Sequence, residues 1–254
     1  MIGTLQCWLN QHGLSDIDDS VFIHDISYQP PKFNTRTFSI AGNHGTGIAR
    51  NLAQYGSVEI TVEIHEYDIV RRQHILQEIA KWALGGGEFT ANDRPGQRLI
   101  VECINPPSLG SALNWTDEIK IELVANRIPF WEGDEAQTEA TGTSETLTMN
   151  ILGVADRAYV DADIVTGAAI TSFTLISGDT SIALRQLNIA SGKTIHIYHD
   201  EYNLLQIECD GTSLLGKRTS ESSDDLRAEN GAASFYFSSS GECTVTVKAR
   251  PLFV

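Results

Sequence analysis

Long apolar runs are missing from this 254-residue sequence. No stretch approaches the ~18 residues needed to cross a bilayer as a helix, and residues 1–10 lack the basic start and small-residue cleavage site of a secretory signal. The expectation is a soluble chain made in a cytoplasm, with no membrane insertion. Positive charge is scarce as well: 18 Lys and Arg stand against 33 Asp and Glu, a formal net charge of -15 at pH 7. Binding to phosphate backbones draws on clustered cations that release counterions, so this balance argues against sequence-specific nucleic acid binding. Cysteine is sparse, and Cys7, Cys103, Cys209 and Cys243 show neither paired metal-ligand spacing nor the density of a disulfide framework. They read as reduced, buried thiols, because Cys103 falls in step with Leu99 and Val101, and Cys243 with Val245 and Val247. Catalytic motifs are absent too: there is no G-x-S-x-G nucleophile elbow and no H-E-x-x-H metal helix. Neither an enzyme nor a cofactor is expected.

What is present divides in two. The length suits two ordinary domains, each with enough apolar residues for a core. Leu5, Cys7 and Leu9 alternate in a first strand, and 21–28 gives a second that Pro30-Pro31 stops. Val58, Ile60, Val62 and Ile64 alternate with Glu59, Thr61, Glu63 and His65 in a half-buried antiparallel strand. A helix follows, with Asp68 as N-cap, Ile75, Leu76, Ile79, Trp82 and Ala83 on one face, and Gly85-Gly86-Gly87 at its end. Strands resume at 98–104 and 118–124, so the first half is α+β, one helix on an antiparallel sheet. All four tryptophans lie at or before Trp131. The run 127–134, which contains Ile128-Pro129-Phe130-Trp131, marks a domain seam where Pro129, Phe130 and Trp131 are expected to pack. Residues 132–146, polar and nearly without apolar anchors, read as a linker or exposed loop. Beyond it, short strands at 147–151, 170–176, 182–189, 194–198, 204–209, 234–237 and 244–249, separated by turn signals such as Ser238-Ser239-Ser240-Gly241, point to an antiparallel β-sandwich. The expected domains are 1–134 and 135–254.

Each candidate site competes with a plainer role. Gly42-Asn43-His44-Gly45-Thr46-Gly47 lacks the Lys-Ser/Thr of a P-loop, and reads as a structural turn or as a loop at a protein contact, where glycine permits close backbone approach. Asp16-Ile17-Asp18-Asp19 opens like a calcium loop, but its twelfth position is Ser27 and the central glycine is missing, leaving a solvated acidic turn. His196, His199 and Asp200 are types that bind metals, yet His196 shares a strand face with Tyr198 while His199-Asp200 is expected in the following turn, so no metal site is expected. Asp161 and Asp163 are a carboxylate pair whose separation across a cleft cannot be read from sequence. Tyr159, Tyr198, Tyr202 and Tyr236 could offer a sugar a stacking face, against edge or core packing.

The order of parts carries a resemblance. Early strands, a glycine-containing turn, a long alternating strand, one helix, Asp93-Arg94-Pro95-Gly96, a strand, Asn114-Trp115, another strand, and Ile128-Pro129-Phe130-Trp131 together resemble the N-terminal domain of the distal tail protein family of long-tailed, non-contractile bacteriophages. The second half is similar in pattern to that family's galectin-like C-terminal domain. The match departs at Ile128, where the family often carries an acidic residue. The resemblance implies an α+β N-terminal domain, an antiparallel sheet or split barrel with one helix, followed by an all-β galectin-like sandwich. It implies a non-enzymatic virion protein at the tail tip, assembled in the host bacterial cytoplasm. Such a protein forms a homohexameric ring around the DNA channel, meets the tail tube protein and the tail-tip hub protein, and supports receptor-binding protein through its sandwich. The alternative is a tail-associated carbohydrate-binding module contacting the host surface directly.

Overall fold

The computed structural model describes residues 4–39, 46–107, 118–126, 128–154, 157–200 and 203–254. The chain divides into two compact units, Met1–Trp131 with Val254, and Glu132–Phe253.

In the first unit, β1 (Cys7–Leu9), β2 (His12–Gly13), β3 (Val21–Gln29), β6 (Ser57–Ile64), β7 (Gly87–Ala91), β8 (Gln97–Asn105) and β9 (Ile119–Ala125) form one antiparallel sheet in the order β2-β1-β7-β8-β9-β6-β3. The 3₁₀ turn Leu14–Asp16 touches both β1 and β3, which lie near opposite ends of that order, so the sheet curls. Between β3 and β6, β4 (Lys32–Ser39) and β5 (Thr46–Gln54) pair, among the described residues, only with each other. The alternation of β6 is realised as expected, with Val58, Ile60, Val62 and Ile64 all in the core. Helix α1 (Ile69–Leu84) buries Ile75, Leu76, Ile79 and Ala83. Asp68 caps it by accepting from the N–H groups of Val70 and Arg71 at 2.8 and 3.4 Å, satisfying donors the helix cannot. Arg72 also lies on the buried face, while Trp82 is half-buried and donates its indole N–H to the His12 carbonyl at 2.8 Å. The glycines do more than end the helix. Gly86 takes φ 55° and Gly87 φ 112°, and a Cβ on Gly87 would collide with Asn10, whose amide holds the turn by donating to Gly86 and accepting from Glu88. Strand β7 then starts at Gly87 itself.

In the second unit the polar segment expected as a linker is instead β11 (Ala136–Ile151), following the short β10 (Trp131–Gly133). It pairs along its length with β19 (Gly231–Arg250), broken only by a register shift between Gly142 and Ser144. Residues 136–146 hid this because among the described residues no second strand pairs with β11 and the ladder to β19, not an apolar face, holds that part, whereas Leu147 and Ile151 reach the core as the strand expected at 147–151. Strand β12 (Ala158–Thr166), also without an expectation in the sequence, buries Ala158, Val160, Ala162 and Ile164. Around these lie β13 (Phe173–Ser177), β14 (Thr180–Leu184), β15 (Thr194–His199), β16 (Leu205–Cys209), β17 (Thr212–Ser213), β18 (Arg227–Ala228) and β20 (Leu252–Phe253).

The two strands expected at 234–237 and 244–249 are one. Ser238-Ser239-Ser240-Gly241 is a bend within β19, not a turn. Ser240 Oγ accepts the N–H groups of Thr171 and Ser172 at 2.7 and 3.2 Å, and a Cβ on Gly241 would stand 2.8 Å from the Ala169 carbonyl. Before the bend β19 pairs with β13; after it, with β12. Its inward residues keep one parity throughout, Ala233, Phe235 and Phe237, then Cys243, Val245, Val247 and Ala249. Both halves therefore feed a single core, in which Phe173 stacks on Phe237 with ring centroids 6.3 Å apart. All four cysteines are free. Cys7, Cys209 and Cys243 are buried, but Cys103 is only half-buried, next to the register shift that ends the pairing of β8 with β9.

Candidate functional site

Two of the short motifs that stood out in the sequence meet in the first unit. Asp93-Arg94-Pro95-Gly96 makes the β7–β8 turn, with Gly96 at φ 70° and the Gln97 N–H donating to the Arg94 carbonyl at 3.2 Å. Asn92 pins this turn to the preceding chain, its amide donating to the Thr4 carbonyl at 2.8 Å and accepting from the Gln6 N–H at 3.0 Å. So held, the Arg94 guanidinium lies 4.7 Å above the ring of Trp131 and 4.4 Å from that of Tyr28. Trp131 is 5% exposed, with the edges of Tyr28 and Phe89 against it at 5.4 and 5.9 Å. A planar cation on aromatic faces suits Arg better than Lys. Tyr28 donates its hydroxyl to Asp93 at 2.7 Å, and Arg94 donates to the main-chain oxygen of Val254 at 3.0 Å. Burial, then the Asp93 hydrogen bond, pushes the Tyr28 phenol well above its usual range, and burial with the Asp93 charge pushes the Cys7 thiol to about 12. Neither group is primed as a nucleophile or base at neutral pH. A cleft of about 240 Å³ opens beside this cluster, lined by Pro30, Pro31, Gly56, Ser57 and Pro129 among others.

Phe130, next to Trp131, stacks on Phe33 of β4, with centroids 6.1 Å apart. Both rings are partly exposed. They stand at the root of the β4–β5 hairpin, whose far end is the glycine-rich loop. Gly42, Asn43, His44 and Gly45 lie outside the described residues, whereas Thr46 and Gly47 begin β5, paired with Ser39 and Phe38. The acidic turn at 16–19 is tied down: Asp18 accepts from the Ser20 N–H and hydroxyl and from Arg71, which together hold its carboxyl at about 2.

In the second unit the acids and histidines sort into two clusters. Asp163 accepts from Lys248 at 2.8 Å and faces His196 at 2.6 Å. His199 is not in a turn: it is the last residue of β15, its side chain fully enclosed between Asp161 and Asp225. The reason is strand parity, which puts His199 on the core face with Ile195 and Ile197. Asp161 and Asp163 are thus each bound to cations, and no group of three or more His, Cys, Asp or Glu among the described residues is placed to hold a metal. Of the tyrosines, Tyr159 is buried under Arg227, Tyr198 is half-buried, and Tyr236 is exposed with its hydroxyl 2.8 Å from Ser144; Tyr202 lies outside the described residues. No signal in the sequence marks Tyr28, Phe33, Glu132, Asp225, Arg227 or Arg250, which meet residues distant in the chain.

Neither a protein-family profile nor a curated protein sequence matches the chain. Solved structures do. The Dit protein of phage SPP1, described as a paradigm of the hub adsorption apparatus of phages infecting Gram-positive bacteria, is similar at TM-score 0.73 and 11% identity, over 98% of this chain and 99% of that one. Two chains of the phage P2 baseplate in its activated conformation, with calcium and with strontium, give TM-scores of 0.49 and 0.48 at 11% identity, over 99% and 98% of this chain and 98% of each of those. Over nearly its whole length, then, the chain has the fold of the SPP1 Dit hub adsorption protein.

Proposed function

We propose that the chain is a structural protein of a bacteriophage tail, a hub at the distal tip joining the tail tube to the tip or baseplate. One observation carries this reading: the fold likeness to the SPP1 Dit protein spans both units and nearly all of each chain. That extent also favours a scaffold role over an enzymatic one, since the ionisable clusters of the described residues are internally paired.

In this reading the first domain, 1–134, builds a homohexameric ring, and the galectin-like sandwich of 135–254 supports receptor-binding protein. Ring closure is heterologous, each subunit offering two different surfaces related by a rotation that closes. The β4–β5 hairpin, with the loop at Gly42, Asn43, His44, Gly45, Thr46 and Gly47, is the protein contact, because it spends no pairing on the sheet and leaves its edges to a neighbour. Pro129, Phe130 and Trp131 pack at the domain seam. The tail tube protein and the tail-tip hub protein are the axial partners, and the virion tail tip is the location. An excess of carboxylates around the channel repels the passing DNA and limits sticking.

Negative-stain imaging combined with mass measurement tests the reading. A closed six-subunit ring, formed alone or on adding a tail tube partner, is the expected result. A persistent monomer with tight affinity for a glycan would instead favour a carbohydrate-binding module.

A further inference from the structure

On β15 the core-facing positions Ile195 and Ile197 are followed by an imidazole, where hydrocarbon would be the ordinary choice. The His199 side chain is 0% exposed. Its Nδ1 lies 2.8 Å from Asp161 Oδ1 on β12, and its Nε2 lies 2.5 Å from Asp225 Oδ1 in the segment leading into β18. A neutral imidazole has one N–H and one lone pair, so one of these contacts would set a lone pair against a carboxylate oxygen; only the cation donates to both.

The surroundings lead to the same state by charge balance. Asp161 also accepts from Arg250 of β19 at 3.1 Å, and Arg250 faces Glu132 of β10 at 3.5 Å. Asp225 accepts from Arg227 Nε of β18 at 2.6 Å. Tyr159 of β12 presents its ring to His199 at 4.9 Å, with the Arg227 guanidinium 3.6 Å from the ring centroid. From β16, the residue paired with His199 is apolar Leu205. Three carboxylates thus meet two guanidiniums, and a protonated His199 brings the enclosed cluster to neutrality.

We propose that His199 is a pH-operated latch: as a buried imidazolium it fastens Asp225, just ahead of β18, to β15, and it lets that carboxylate go when its proton is lost in alkaline solution. The chain on either side of Asp225 is fixed independently: Ser222 and Ser223 accept the N–H groups of Ala183 and Ser181 on β14, both at 2.9 Å, while Leu226 is buried and β18 pairs with β12. Release therefore frees the Asp225 side chain alone. Burial works against the imidazolium, but the Asp161 and Asp225 hydrogen bonds outweigh it and raise His199 above 6.5. Asp225 is held at about 2 against its own burial by His199 and Arg227. The raised histidine contributes stability that is complete below about 6.5 and lost as pH rises through its folded value. The depressed carboxylate contributes stability present above 3.8 and lost as pH falls toward about 2.

Long-range proton–nitrogen NMR of the full chain decides the matter. Both His199 ring nitrogens carry protons at pH 7, the titration midpoint lies above 6.5, and hydrogen-exchange protection at Leu226, whose N–H donates to Asp225 Oδ1 at 2.8 Å, falls across that midpoint while β12 stays protected. In Asp225→Asn the midpoint drops by about one pH unit, a tenfold loss of proton affinity. A single protonated ring nitrogen at pH 7, or a midpoint at or below 6.5, overturns the latch. The native-chain spectrum gives this answer even if the variant does not fold.

Discussion

Removing the indole of Trp131 takes it from the rings of Tyr28 and Phe89 and from beneath the Arg94 guanidinium. Deleting a large buried aromatic leaves a cavity the surroundings only partly fill, at a cost of about 3–5 kcal/mol. Trp131→Ala is therefore expected to lower the unfolding free energy of the first unit by that amount, read by urea unfolding, while Phe130→Ala, at a half-exposed ring, costs much less. If the two variants unfolded alike, Trp131 would not be the anchor described. The sequence made Trp131 visible as a large apolar residue at a change of pattern. It did not show Tyr28 as a partner, nor that Arg94 covers both rings, because stacking between residues this distant in the chain leaves no local trace. His199 was hidden in the same way. Only its place on the inward parity of β15 hinted at burial, and its carboxylates sit on β12 and near β18.

Most elements with one face in a core could be read directly, although β12, with Ala158, Val160, Ala162 and Ile164 in the core, was not. The alternation of β6 and β9 and the apolar stripe of α1, with Asp68 as its cap, became the strand, strand and helix expected. Strands held by pairing could not. Strand β11 is polar up to Thr146, where the alternation of Leu147, Met149 and Ile151 begins, and the β4–β5 hairpin pairs outside the main sheet. Short turn signals misled for a related reason: the serines before Gly241 have the composition of a turn, but their hydroxyls and N–H groups find partners across a bend. Since β4 and β5 pair only with each other, shortening the hairpin is expected to spare the first unit. Joining Phe38 to Gly47 through a two-residue Asn-Gly turn should leave the melting temperature within about 2 °C, because the rest of the β4–β5 ladder is kept. The same variant should fail to form rings in the electron microscope. Rings of normal size would remove the hairpin loop as the subunit contact.

At the scale of the molecule, the division after Trp131 leaves Glu132–Phe253 as a continuous stretch with its own core. A fragment of those residues is expected to fold alone, with a dispersed amide spectrum and one cooperative thermal transition. A collapsed spectrum would show that its core needs the first unit. Two-part organisation was plain from the sequence, where tryptophan and the helix stop at the same point that short strands take over. The second unit starts at Glu132, three residues before the expected 135.

The bent strand β19 has one more consequence, a mechanical one. A neighbour is zipped to it on each side, β11 along one edge and β13 then β12 along the other. Tension applied along its axis falls on both ladders in shear, so many hydrogen bonds share the load at once and none is peeled first. The strand runs through both halves of the second unit's sheet, and a pull on one half is carried to the other through continuous main chain.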